Sequence, residues 1–266
     1  MTSLHDLPST PRMPLLFVGH GSPMNAIEDN AYSQSWRQLG ATLPTPKAIL
    51  CISAHWLTEG GTLIHNGSHP KTIHDFWGFP QELYTVLYPA PGSPDFAAHA
   101  KSIATNKVEF DQTWGLDHGA WSVLVHLFPK ANIPVFQMSI DFSRHGDFHY
   151  EFGKELAILR DKGVLLLGSG NIVHNLGRVN FSPDAQPFDW AVEFDEQAKT
   201  FLSHGNDQSL ISYPSLGTAA HLSIPTPDHY WPLLYILGAK HKDDGISYPT
   251  EGIAHGSVSM RSVLFS

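Results

Sequence analysis

Seventeen histidines in 266 residues are the most chemically suggestive feature of this chain. Imidazole is the commonest metal ligand and the usual proton carrier near neutral pH. His20 lies in GHGSP, between two glycines that permit a sharp turn and close backbone approach. A polar residue that merely closes a turn would look the same. His55, in SAHW, has a similar setting, and Trp56 beside it is placed to wall a pocket. His174 follows a G-x-G element in GSGNIVHN, but Val173 follows Ile172 where a dinucleotide loop wants small residues. A helix-start histidine satisfied by local backbone is the alternative there. His118, in WGLDHGAW, precedes a helix, and Asp117 is positioned to orient its ring. His229, in TPDHYWPL, opens the last long helix.

His74, in IHDFWGFP, joins an ionisable pair to aromatic rings, which suits either substrate contact or loop packing. His126 falls on an apolar helix face and reads as core. His99, His145, His149, His204 and His241 read as surface or helix-end positions. No compact metal motif, P-loop or G-x-S-x-G elbow is present. Scattered histidines gain weight only by sharing one face of the fold.

The elements that must position them are short. Apolar runs at Pro14–Gly19, Ala48–Ser53, Gly61–His65, Pro134–Ile140 and Val164–Gly168 read as strands. Helices fit 30–39, 94–104, 119–128, 149–162, 189–203 and 228–237, the last with Thr226 as cap and Pro227 at its first position. Ser257–Phe265 alternates and reads as a closing strand. Residues 66–94 form a Pro/Gly-rich excursion of a length more often functional than idle. The alternation predicts a single α/β domain with a mostly parallel central sheet covered by helices on both faces, over 13–266, behind a mobile N-terminal arm at 1–12. His20, His55 and His174 each follow a predicted strand, where ligands bind in such sheets.

Composition narrows the partners. Hydrophobic residues make up 42% against 15% charged, a globular balance, and a formal charge of −9 argues against nucleic acid. No apolar run is long enough to cross a bilayer, and residues 1–12 lack a signal-peptide pattern. The single cysteine, Cys51, excludes an internal disulfide framework, fits a reducing cytoplasm, and reads as a buried strand thiol.

The segments GHGSPM, SAHW, IHDFWGFP, YPAPGSP, WGLDHGAW, SGNIVHN and PTPDHYWPLLY, in that order, resemble the class III extradiol ring-cleaving dioxygenases of the protocatechuate 4,5-dioxygenase B-subunit type. The resemblance runs from about Met13 to the C-terminus and is nearest to the 4,5-DOPA dioxygenase extradiol branch. It implies a mononuclear non-haem metal held by His20, His55 and His229. It makes His174 the acid/base beside the metal, and a ligand when no substrate is bound, and sets His118 against the substrate or its oxygen. The wider family commonly uses two histidines and a carboxylate; here the third position is His229, with Asp228 beside it.

The implied reaction inserts both atoms of O2 next to the diol of a catechol such as L-DOPA. It needs Fe(II), although Zn(II) can occupy the same ligands. His74 and Trp56 are the expected substrate contacts, and Phe76, Trp77, Phe79 and Trp121 are further candidates for an aromatic pocket. Arg144 and Arg178 are the available cationic partners for a carboxylate. A zinc-dependent hydrolase on the same scaffold, or a non-catalytic binding protein, are the competing functions.

Overall fold

Three apolar runs form adjacent parallel strands at the middle of the molecule. The structure is a computed structural model describing residues 4–182 and 184–266; residues 1–3 of the N-terminal arm lie outside the described residues. Its strands are β1 (Leu15–Gly19), β2 (Ala48–Thr58), β3 (Thr62–His65), β4 (Lys71–Thr72), β5 (Val108–Asp111), β6 (Gly115–Leu116), β7 (Val135–Asp141), β8 (Val164–Gly170), β9 (Ile246–Ser247), β10 (Ile253–Ala254), β11 (Val258–Ser259) and β12 (Val263–Phe265). The main helices are α1 (Ala31–Thr42), α2 (Pro94–Ile103), α3 (His118–Leu127), α4 (Gly146–Leu156), α5 (Asp189–Ser203), α6 (Asp207–Ile211), α7 (Thr218–Ser223) and α8 (Trp231–Gly238).

Eight strands make the central sheet in the order β5-β3-β7-β2-β8-β1-β12-β9. The four inner strands, β7, β2, β8 and β1, are parallel. β3 runs antiparallel to β7, and β12 antiparallel to β1. Both faces of the inner strands are covered. Leu16, Val18, Ile49, Cys51, Leu165 and Leu167 pack with Trp36, Trp121 and Leu124 of α1 and α3. Their neighbours Leu15, Phe17, Leu50, Ile52 and Leu166 pack with Phe152, Leu233 and Ile236 of α4 and α8. Two-sided burial is why these strands read as continuous apolar runs instead of alternating ones.

Several boundaries differ from those the sequence suggests. β2 continues past Ser53 to Thr58, with a register shift against β7 between Ile52 and Leu57. The segment 257–265 is two strands. β11 pairs with β10, whereas Met260 and Ser262 donate to Gly252 and Thr250 carbonyls, and buried Arg261 turns to Asp195 and Glu196. The helix expected over 149–162 starts at Gly146 and tightens to a 3-10 turn from Ala157. The last helix begins at Trp231, with Pro232 in its first turn; Thr226 does not cap it, and residues 228–230 form a turn closed on the Pro227 carbonyl. His99 and His149, read as surface or helix-end positions, are buried, and His149 Nδ1 lies 3.0 Å from the Tyr235 hydroxyl. At the N-terminus, Leu4 is buried, Lys162 Nζ donates to Leu7 O at 2.7 Å, and Thr10 N donates to Asp161 O at 2.8 Å.

The GSG of β8 serves packing. A Cβ on Gly170 would lie 2.1 Å from the His229 carbonyl oxygen, and one on Gly168 would lie 2.7 Å from that of Pro232. Gly170→Ala is therefore expected to lower the unfolding free energy by about 1–3 kcal/mol in denaturant titration, the usual cost of overpacking. It also pushes His229 from its place; a variant as stable as the parent would contradict this account of the motif.

Candidate metal centre

His20 leaves the carboxyl end of β1, His55 lies where β2 slips its register, and His229 stands in the turn before α8. β2, β8 and β1 are neighbours at mid-sheet, so their carboxyl ends open on one crevice. The outer turn is fastened to the same edge: Asn171 N donates to His229 O at 2.8 Å, and His20 N donates to Gly170 O at 3.1 Å. Asn25 Nδ2 donates to His20 O at 3.0 Å, and buried His126 donates Nε2–H to Asn25 O at 2.7 Å. His126 thus supports the turn that carries His20.

The three rings converge. Their centroids are 5.0 Å apart for His20–His55, 5.3 Å for His20–His229 and 4.9 Å for His55–His229. One nitrogen from each lies within 4.8 Å of the others. Hydrogen bonds behind two of the rings decide which nitrogen faces inward. Ser169 Oγ donates to Gly119 O at 2.5 Å, so it accepts from His20 Nδ1–H at 3.0 Å and leaves His20 Nε2 a bare lone pair. Asp228 Oδ2 accepts the Nδ1–H of His229 with the same consequence.

His55 Nε2 faces His20 Nε2 at 3.1 Å. Two imidazole lone pairs at that distance repel unless a proton or cation lies between them. Burial, followed by the charge of neighbouring histidines, pushes His20 and His55 well below the usual histidine range, so both are in the neutral, ligating form. Three imidazoles, two with orienting partners behind them, fit a single borderline divalent ion such as Fe(II) or Zn(II).

Asp228 supplies the negative charge that an all-histidine set lacks, one hydrogen bond behind the ring. Burial opposes its ionisation, but the hydrogen bond and charge of His229 hold its carboxyl well below the usual carboxylate range. His174 lies parallel to His229, with centroids 3.5 Å apart and planes 10° apart. Its ring nitrogen groups with Asp228 and His229, and not with His20 and His55. Burial first, and then the charge of His229, pushes it down to about 2, so this ring is neutral beside the centre.

His118 begins α3, and its ring centroid is 3.8 Å from that of His55. Asp117 does not orient it. As N-cap, Asp117 turns its carboxylate back to Ala120 N at 3.2 Å, and it also accepts from Ser53 Oγ at 2.7 Å and Gln137 Nε2 at 2.8 Å. The orienting group is Asp75, which accepts from the His118 backbone N–H and from its Nδ1–H, each at 2.9 Å. Burial alone would push the Asp75 carboxyl up, but the hydrogen bonds and charge of His118 hold it below the usual range. The β4–β6 pairing brings this loop against α3.

A cavity of about 290 Å³ opens over His20, His55, His118, His174 and His229. Phe76 and Phe79 wall one side, Leu176 and Val258 contribute further apolar surface, and Phe181 and His255 stand at the mouth. Neither Trp56 nor His74, the expected substrate contacts, lines it. Trp56 follows His55 in the strand, so its side chain leaves by the other face and stacks on Trp114, centroids 5.5 Å apart. His74 Nε2 donates to Val86 O at 3.0 Å and packs on Trp121, which places it in the loop's own core. Trp77 is 86% exposed, and Trp121 is buried with its Nε1 donating to Ile73 O at 2.7 Å. Neither Arg144 nor Arg178 reaches the cavity wall. Leu176, Phe181 and His255 carried no signal in the sequence, because they lie in irregular connections.

Residues 13–265 match the family of the catalytic LigB subunit of aromatic ring-opening dioxygenase. The chain is 49% identical over 260 residues to a 4,5-DOPA dioxygenase extradiol of Escherichia coli strain K12, covering 96% of this chain and 95% of that one. It is 39% identical to a 4,5-DOPA dioxygenase extradiol of Beta vulgaris, over 84% of this chain and 85% of the relative. The crystal structure of an uncharacterized protein from Escherichia coli K12 superposes with a TM-score of 0.84 at 43% identity, covering 96% of this chain and all of that one.

Proposed function

We propose, for a chain that belongs to the LigB family of catalytic subunits of aromatic ring-opening dioxygenases, that it cleaves a catechol beside its diol at a single Fe(II) held by His20, His55 and His229. By family the chain is an enzyme, an oxidoreductase. The observation that carries the metal assignment is the inward convergence of three imidazole nitrogens beneath a cavity with phenylalanine walls.

When bound, Fe(II) would supply the one-electron chemistry that joins a catecholate to O2, which filled-shell Zn(II) does not offer. The protein supplies the rest. Phe76 and Phe79 hold the ring of an L-DOPA-like substrate edge-on or stacked, as aromatic pairs prefer. His174, stacked on His229 beside the centre, would take the proton of one catechol hydroxyl and return it after the ring opens. His118 gives Nδ1–H to Asp75, which turns its Nε2 edge toward the cavity to hydrogen-bond the reacting oxygens. The apolar walls keep bulk water from the opened ring.

Asp75→Asn is expected to lower kcat by about 10- to 100-fold, because the amide no longer fixes the His118 tautomer. Steady-state oxygen uptake read beside metal analysis checks this, and an unchanged kcat would contradict the role given to Asp75. The reading as a whole is tested by oxygen uptake of Fe(II)-loaded protein with L-DOPA and smaller catechols, beside Zn(II)-loaded protein. Uptake with iron alone and a yellow semialdehyde product are expected. No uptake by protein with verified iron would overturn it.

A further inference from the structure

The three-histidine grouping has a neighbour on each side. On one side the ligand His229 groups with Asp228 and His174; on the other the ligand His55 groups with Asp75 and His118, again with one atom from each within 4.8 Å of the others. In each arm a carboxylate is shared between a ligand and an outer histidine. Asp228 Oδ2 accepts the Nδ1–H of its ligand, His229. Asp75 Oδ2 accepts the Nδ1–H of the outer ring, His118, at 2.9 Å, and faces Nδ1 of the ligand His55 at 3.7 Å.

The seat of the His55 ring sets this contact. Its Nε2 faces His20 Nε2 in the centre, its centroid lies 3.8 Å from that of His118, and a Cβ on Gly119 of α3 would come within 2.9 Å of its Cδ2. A neutral imidazole that ligates through Nε2 carries its proton on Nδ1, and that N–H needs an acceptor. Among the described residues no hydrogen bond reaches His55 Nδ1, and the carboxylate oxygen that faces it is Asp75 Oδ2. The 3.7 Å between them is longer than a hydrogen bond, so the contact is a carboxylate charge set behind the ring. Asp75 is fixed there by its own loop. Its Oδ1 accepts from His118 N at 2.9 Å, Ile73 N donates to Leu116 O at 2.7 Å, and Trp121 Nε1 donates to Ile73 O at 2.7 Å. Phe76 and Phe79, just beyond it, are walls of the cavity.

We infer that Asp75 is a positioning residue for the metal ligand His55 as well as for His118, with one carboxylate oxygen serving the Nδ1 side of both rings. The loop that walls the cavity thereby also braces the metal. A carboxylate oxygen has lone pairs enough for two N–H groups, and a partner behind a ligating imidazole fixes its tautomer and raises its basicity. An asparagine at 75 that kept its oxygen on the His118 backbone N–H would set an amide NH2 against both rings. The inference rests on the three-histidine reading of the centre. It adds a partner for His55, the ligand without a hydrogen bond behind its ring.

The test is Zn(II) affinity, read by competition with a chromophoric chelator, beside the visible spectrum of Co(II)-loaded protein. Asp75→Asn is expected to weaken Zn(II) about 10- to 100-fold and to move the Co(II) bands. Asp75→Ala, which removes the acceptor without placing an NH2 there, is expected to show the same loss. His118→Ala removes the competing ring and leaves Asp75 Oδ2 to His55, so it is expected to bind Zn(II) as tightly as the parent. Parent-like affinity in both Asp75 variants, a loss confined to Asp75→Asn, or an equal loss in His118→Ala would overturn the inference while leaving the three ligands in place. Failure of the parent protein to bind Zn(II) would overturn the three-histidine reading, and the inference with it.

Discussion

Replacing His55 by alanine is expected to remove the metal and the ring-cleaving activity together. One of three inward nitrogens goes, and the His20 and His229 that remain do not close a site around a divalent ion. Loss of an outer-shell partner already costs about 10- to 100-fold in affinity, so loss of a ligand itself is expected to exceed about 100-fold. Metal analysis after dialysis reads this directly. The variant is also expected to fold, because His55 lines the cavity and its truncation enlarges that cavity without opening a hole in the core. Added metal should raise the thermal midpoint of the parent and not of His55→Ala, as mass action requires of a ligand bound only by the native state. A variant that retained metal after dialysis would remove His55 from the ligand set.

His174→Ala separates proton transfer from ligation. The ring stacks on His229 and groups with Asp228, away from His20 and His55. The variant is therefore expected to keep its metal while kcat falls by about 10²- to 10⁴-fold, the range for loss of a general base. Metal content and turnover measured on the same preparation distinguish the roles. If His55→Ala and His174→Ala lost metal equally, His174 would be a fourth ligand.

The inner strands were legible because runs such as Leu15–Gly19 and Val164–Gly170 are buried on both faces and carry no competing signal. The histidines at their ends were legible for the same reason. His55 shows the limit. It belongs to a strand that continues to Thr58 through a register shift, and nothing in SAHW announces one. The face that Trp56 takes follows from that continuation. Asp75 and His118 are 43 residues apart, joined by a two-residue strand pairing too short to leave a pattern. Asp117, adjacent in sequence, was the natural choice and is instead consumed by the helix N-terminus. The last helix started late because Pro227 closes a turn through its carbonyl, which sets His229 ahead of the helix and not within it. At the mouth, His255 depends on a left-handed turn that composition does not reveal.

The most direct test of the central claim is a single turnover of Fe(II)-loaded protein with L-DOPA under isotopically labelled dioxygen, quenched by reduction before the aldehyde oxygen exchanges. Cleavage beside the diol at the three-histidine centre predicts an opened-ring product carrying both labelled oxygen atoms. A product carrying only one labelled atom, or an intact ring, would contradict it.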